Sequence, residues 1–248
     1  VTEKKRKRAG IVGIPPLTVM ELLASPEYEI FDLDEPQGKI DIETASPFLP
    51  RVYCGILRTV VANSLTIQPD IIYIDIGSGK CDCAVHTATV LEDILPNTQI
   101  VKTRNHDTAD FGTPLCRTEM NLMDKMAAIT ASIQVPSPYD DISECIPTAG
   151  FWGVPPRDFS LLNLFPDTTH IYGWARCMEN KTPDNLDLEM YFNPSIPTVF
   201  FAQSFCAKTA LARHLAGKHP YGLYLDCDVT AGNSVKAKIQ AFLELSGM

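Results

Sequence analysis

The stretch "IIYIDIGSGKCDCAV", residues 71–85, constrains the fold more than any other. An almost wholly apolar run that stops at a Gly-Ser-Gly turn reads as a strand buried on both faces. Beyond the turn, Cys81, Ala84, Val85, Ala88, Leu91, Ile94 and Leu95 fall on one helical face. A buried strand that feeds a helix through a short loop is the unit from which parallel sheets are built, because parallel neighbours need a crossover between them.

The alternation extends along the chain. "RVYCGILRTVVANSL" has helical spacing and precedes the strand, and "TQIVKT" follows as a second strand. A helix over about residues 115–134, the apolar piece "CIPTAGFW", a short helix near 158–164 and "THIYGW" come next. After an irregular polar stretch at 179–193, the strand "PTVFFAQ", a helix over 206–218, the strand "GLYLDCD" and a helix over 233–245 complete the pattern. The expected class is α/β, a doubly wound, mostly parallel Rossmann-like sheet. The first fifty residues carry prolines, a short helical stretch at 17–24 and acidic strand-like pieces. They read as a small N-terminal segment, 1–50, packing on a Rossmann-like domain, 51–248. No internal repeat and no low-complexity tract is evident from the sequence.

Composition narrows the partners. A chain of 248 residues, 45% hydrophobic and 21% charged, has the make-up of a globular protein with a sizeable core. A formal charge of -9 disfavours a general grip on nucleic acid, which needs Lys and Arg against phosphate. A small molecule is the expected partner. The exception is "KKRKR", residues 4–8, read as a solvated basic tail. No run approaches the roughly 18 to 20 apolar residues of a membrane span, and no apolar signal region follows the basic start, so the chain reads as cytoplasmic and without membrane contact. Its eight cysteines are scattered through core-like elements, as reduced thiols are. Cys81, Cys83 and His86 are the tightest group of soft ligands, short of a complete zinc set, so no metal is assigned.

In a doubly wound sheet, ligands bind beyond the carboxyl ends of the strands, where the strand order reverses. "YIDIGSGKC" resembles the first motif of Rossmann-fold S-adenosylmethionine-dependent methyltransferases, Asp-x-Gly-x-Gly-x-Gly after an apolar strand. Asp75, Gly77 and Gly79 match it, and Cys81 stands where the last glycine would be. The resemblance covers residues 51–85. It implies that Asp75 orients the cofactor's methionine amino group through the loop and that Gly77, Ser78 and Gly79 let backbone approach the cofactor. One departure is a basic second strand end, Lys102 and Arg104, where such enzymes carry an acid for the ribose. Arg104 or Lys102 would suit the 2′-phosphate of NADP, the basis of an oxidoreductase alternative. Against it, Asp82 occupies the third glycine position of the dinucleotide fingerprint. "DIGSGKCDCAV" also resembles the second phosphate loop of the actin and sugar-kinase ATPases through Asp75, Gly77, Gly79 and Asp82, but a helix replaces the strand expected after it.

Other side chains complete the set. Lys208, at the start of a helix after a strand, and His106, beside Asp107 and Asp110, are candidates for proton handling. Trp152 and Trp174, each beside a glycine at a strand end, could wall a flat ligand, with Arg176 on its anionic group. Lys80 invites comparison with a phosphate loop, although the full G-x-x-x-x-G-K-[ST] pattern is absent. The polar stretch 179–193 reads as a lid or as the contact of a homo-oligomer. The leading expectation is methyl transfer from S-adenosylmethionine to a small molecule. The alternatives are NADP-dependent oxidoreduction, or a non-catalytic ligand-binding or assembly protein in which the loop only turns a corner.

Overall fold

The computed structural model describes residues 5–108, 114–134 and 142–246. The chain divides into two compact units, one of Val1–Thr108 with Lys181–Asp184, the other of Ala109–Asn180 with Asn185–Met248. Each is an α/β unit on a four-stranded, all-parallel sheet. The doubly wound, Rossmann-like class is therefore the observed one.

In the first unit, β1 (Lys7–Val12), α1 (Leu17–Leu23), β2 (Tyr28–Asp32), α2 (Gly55–Ile67), β3 (Ile71–Asp75), α3 (Cys83–Ile94) and β4 (Gln99–Thr103) follow one another. The sheet order is β2-β1-β3-β4. Helix α2 stops where Gln68 turns left-handed ahead of Pro69, which cannot continue a helix. All five residues of β3 are buried, as a central strand covered on both faces requires. The division into 1–50 and 51–248 does not follow the contacts. β1 lies between β2 and β3, so the leading residues supply half of the first sheet.

In the second unit, the long helix expected over 115–134 is a 3-10 turn, Pro114–Arg117, followed by α4 (Leu122–Ala131), which Asn121 caps by accepting from Met123 N–H. Then come β5 (Gly150–Gly153), β6 (His170–Tyr172), α5 (Trp174–Asn180), α6 (Leu186–Met190), β7 (Thr198–Gln203), α7 (Lys208–Lys218), β8 (Gly222–Cys227) and α8 (Asn233–Ser246). The sheet order is β6-β5-β7-β8, and all six residues of β7 are buried. Trp152, Tyr172, Phe200, Ala202, Ala212, Leu215 and Ala216 form a continuous core. The polar stretch 179–193 is largely structured: it ends α5, contributes Lys181–Asp184 to the first unit, and forms α6.

The two strand orders are the same, and their registers expose a repeat that the linear sequence conceals. Ala9-Gly10-Ile11-Val12-Gly13-Ile14-Pro15-Pro16 aligns with Ala149-Gly150-Phe151-Trp152-Gly153-Val154-Pro155-Pro156, identical at five of eight positions. Gly10 pairs with Phe31 and Gly150 with His170, and the residue two further on, Leu33 or Tyr172, lies over the glycine. A Cβ at Gly10 would meet Leu33 Cδ1 at 2.5 Å, and one at Gly150 would meet Tyr172 Cε2 at 2.9 Å. The turns after β3 and β7 also correspond. Each has a residue of positive φ five positions beyond the strand residue paired to Val12 or, in the second unit, to Trp152: Gly79 at +77° and Phe205 at +62°. In each turn the next amide closes back, Lys80 N–H to Gly77 O and Cys206 N–H to Gln203 O.

Candidate functional site

The chain order of the first sheet reverses between β1 and β3, which brings the loop after Val12 beside the loop after Asp75. The latter turns directly into α3, so the strand-to-helix geometry expected for residues 76–82 is present. Asp75 is buried at the end of β3. Its Oδ1 accepts from Gly77 N–H at 3.1 Å and from Asn105 N–H at 3.0 Å, which ties the glycine turn to the end of β4. Its Oδ2 receives no hydrogen bond among the described residues and faces Lys80 Nζ at 3.3 Å. The side chains of Asp75 and Lys80 are 0% and 7% exposed. The Lys80 ammonium lies over Gly13, 3.0 Å from where a Cβ would stand.

Asn105 holds this edge together. Fully buried, its Nδ2 donates to the carbonyls of Ile14 at 3.0 Å and Pro15 at 3.2 Å, and its Oδ1 accepts from Asp107 N–H at 2.8 Å. Asp107 in turn accepts from Leu17 N–H, the first residue of α1, at 2.8 Å. Sequence reasoning passed over Asn105 between Arg104 and His106. The available signal was its type and place, a short amide two residues beyond a strand, suited to bonding nearby backbone. Gly79 is closed in: a Cβ there would run into the carbonyl of Pro183, within the returning segment Lys181–Asp184.

The remaining candidates of this unit sit around the same edge. Ser78, in the turn, and Arg104 are both exposed. Lys102 is committed to Glu92 on α3 at 2.8 Å, leaving Arg104 as the cation at the end of β4 that is not so engaged. His106 is exposed, and its Nδ1 stands 3.6 Å from Asp184 rather than against Asp107, which is bonded to α1. Asp110, the other carboxylate considered for His106, lies outside the described residues, as does Lys4 of the basic start. Burial pushes the Cys81 thiol up to about 11, so it is a neutral thiol at neutral pH. Among the described residues, no group of three or more His, Cys, Asp or Glu side chains is placed to hold a metal ion.

Trp152, Trp174, Arg176 and Lys208 belong to the second unit. Trp152 is fully buried, packed against Gly173 and donating from Nε1 to Glu189 O at 2.8 Å. It lies in the core of the second unit, on β5 between β6 and β7. Lys208 pairs with the Glu189 carboxylate and sits 4.6 Å from the Trp174 ring centroid, a cation-π contact. Arg176 Nη1 donates to Glu179 Oε2 at 2.7 Å and to Asn180 Oδ1.

Arg176 belongs to a buried polar cluster that the sequence did not reveal. Cys116 Sγ donates to Glu179 Oε2 at 2.5 Å. Burial raises the Glu179 carboxyl, opposed by Arg176, and raises the Cys116 thiol well above its ordinary value, with the Glu179 charge adding to the effect. Nearby, the buried Lys125 ammonium donates to the carbonyls of Thr118 and Thr169, each at 2.6 Å. These groups satisfy one another inside the unit and leave no reactive atom exposed.

Among the described residues, no helix is long and apolar enough to cross a membrane. No protein-family model matches the chain. No curated protein matches it either.

Proposed function

We propose that the carboxyl edge of the first sheet binds S-adenosylmethionine and that the chain transfers its methyl group to a small-molecule substrate. The observation that carries this reading is Asp75. It is a buried carboxylate at the reversal point of a parallel sheet, with one oxygen ordering the glycine turn and the other, without a hydrogen bond among the described residues, facing the Lys80 ammonium. A buried carboxylate favours a cation beside it, a place next to Lys80 Nζ that also suits the amino group of a cofactor. The Thr103 hydroxyl supports the fit: Thr103 pairs with Asp75 in the sheet register, and its buried oxygen makes no hydrogen bond among the described residues. It offers a hydroxyl near the strand end where methyltransferases carry an acid for the ribose.

When bound, the cofactor supplies an electrophilic methyl group on a sulfonium. The chain's contribution is to hold the reacting groups in line and to exclude water, which lowers the entropic part of the barrier. Asp75 and Asn105 keep the turn fixed through backbone hydrogen bonds. His106, near Asp184 and exposed at the same edge, takes the proton released by the substrate nucleophile. Lys208 is not assigned this role, because Glu189 and Trp174 engage it.

Calorimetric titration with S-adenosylhomocysteine, NADPH and ATP tests the proposal. Binding of S-adenosylhomocysteine, weakened at least about tenfold by Asp75→Asn in a folded variant, would support it. Heat from NADPH alone, abolished by Arg104→Ala, would replace it with the oxidoreductase reading. Silence from all three would favour a non-catalytic role.

A further inference from the structure

Arg58, in the opening turns of α2, is a buried cation whose donors are mostly unused. Its side chain is 3% exposed. Among the described residues only Nη2 donates, to Glu43 Oε1 at 2.9 Å, and the buried Nε makes no hydrogen bond. Withdrawing a guanidinium from water for so little is costly. The reason for the shortfall lies in Glu43, on the 3-10 turn Ile42–Ala45, whose carboxylate is divided. Its Oε2 accepts from Ser46 Oγ at 2.9 Å and from Arg51 Nε at 3.0 Å, which leaves Oε1 alone for Arg58. A tethered group with two oxygens cannot serve Arg51 and also lie along both Nε and Nη2 of Arg58. Arg51 stands just ahead of α2, and helical side chains such as Arg58 lean toward the helix N-terminus. Cys54 gives that terminus no side-chain cap, and its first turn holds no acid.

We infer that Arg58, Arg51 and the start of α2 form a phosphate site, which Glu43 keeps closed until a phosphate group displaces its carboxylate. A terminal phosphate has three free oxygens. Two lie along Nε and Nη2 of Arg58, the side-by-side pairing that arginine favours, and the third meets Arg51. The orphaned Nε thus gains an acceptor, and both cations keep an anionic partner. A carboxylate ligand would only repeat the shortfall of Glu43. The positive end of α2 adds to the preference for phosphate. Glu43 is free to leave, since its side chain is 43% exposed and turns out to water, where a carboxylate is well solvated. None of these residues is assigned to the cofactor, and the site does not depend on that proposal.

Calorimetric titration of the full chain with sodium phosphate, compared with sodium acetate at equal ionic strength, tests it. Saturable phosphate binding is expected, with acetate at least about tenfold weaker. The formal charge of -9 disfavours nonspecific uptake of anions. Glu43→Gln removes the tethered competitor and should tighten phosphate binding at least about threefold. In that background, Arg51→Ala and Arg58→Lys, which keeps the charge but not the fork, should each weaken it at least about threefold. No saturable binding in either the wild type or Glu43→Gln would overturn the inference. So would acetate of equal affinity, or a Glu43→Gln variant that binds no more tightly than the wild type. If Arg58→Lys does not fold, Arg51→Ala, whose side chain is 77% exposed, decides alone, and unchanged affinity would overturn the inference. Glycerol 3-phosphate separates the sources. Binding at least as tight as that of inorganic phosphate assigns the site to a phosphorylated small molecule, weaker binding assigns it to the free ion, and either upholds the site. Phosphate binding without S-adenosylhomocysteine binding upholds this inference and refutes the cofactor reading, and the opposite pair of results does the reverse.

Discussion

The turn after β3 yields a prediction whose size follows from comparing the two units. Gly79 and Phe205 hold corresponding left-handed positions, yet one is glycine and the other is phenylalanine. Backbone conformation alone therefore does not forbid a side chain there. It costs about 1–2 kcal/mol for an L residue. What differs is the neighbour. Phe205 is 56% exposed, whereas a Cβ on Gly79 collides with the Pro183 carbonyl. Displacing a packed backbone segment adds the usual overpacking cost of about 1–3 kcal/mol. Gly79→Ala should therefore destabilise the first unit by at least about 2 kcal/mol, which for a unit of this size lowers its Tm by roughly 8 °C or more. Phe205→Gly should stay within about 1 kcal/mol, because relief of the left-handed strain is offset by the added freedom of the unfolded chain. Calorimetric unfolding, with hydrogen exchange of the β1 and β3 amides to assign the transition, reads both changes. A Gly79→Ala loss below about 2 °C would refute the reasoning, as would a Phe205→Gly effect of equal size.

Other consequences are open to similar tests. Asn105→Ala should cost about 2–3 kcal/mol in denaturant unfolding, and Asn105→Asp should cost more, because it turns a carboxylate toward the carbonyls of Ile14 and Pro15. Lys125→Met should destabilise the second unit by about 2–4 kcal/mol by stripping two buried carbonyls of a charged donor. Burial lowers the His170 pKa from its ordinary 6.5, so the unfolded chain takes up a proton there before the folded one does. The stability present above that pH is then lost as pH falls through the lowered folded value, and His170→Gln should flatten the Tm profile on the acid side of about pH 6.5. Trp152→Phe should cost about 1–2 kcal/mol through its lost N–H donor while leaving ligand binding at the first sheet unchanged.

Strand-helix alternation was legible because β3 and β7 are buried on both faces and must be apolar throughout. The loop at 76–82 was legible as a strand-to-helix turn because its glycines break an otherwise continuous pattern. The first two strands were harder to read. β1 is preceded by basic residues, and β2 carries Glu29 and Asp32, so neither looks like a central element until the register places it. The repeat escaped notice because only the first strands and their Gly-x-Pro-Pro exits retain identical residues. The equivalent β3 and β7 keep the burial but exchange the side chains. The fates of Trp152 and Lys208 could not be read from spacing, since both are decided by Glu189, far from either in sequence, whereas Arg176 pairs with Glu179 one helical turn on. Composition could place an Asp and a Lys in one loop but not reveal that Lys80 folds back on Asp75 over Gly13.

The central claim is that ligand enters at the carboxyl edge of the first sheet, against Asp75. An amide NMR titration of the isotope-labelled chain with S-adenosylhomocysteine tests it most directly. The account predicts saturable shifts concentrated at Gly13, Gly77, Gly79 and Asn105. Shifts confined to residues of the second unit, or none at saturating ligand, would contradict it.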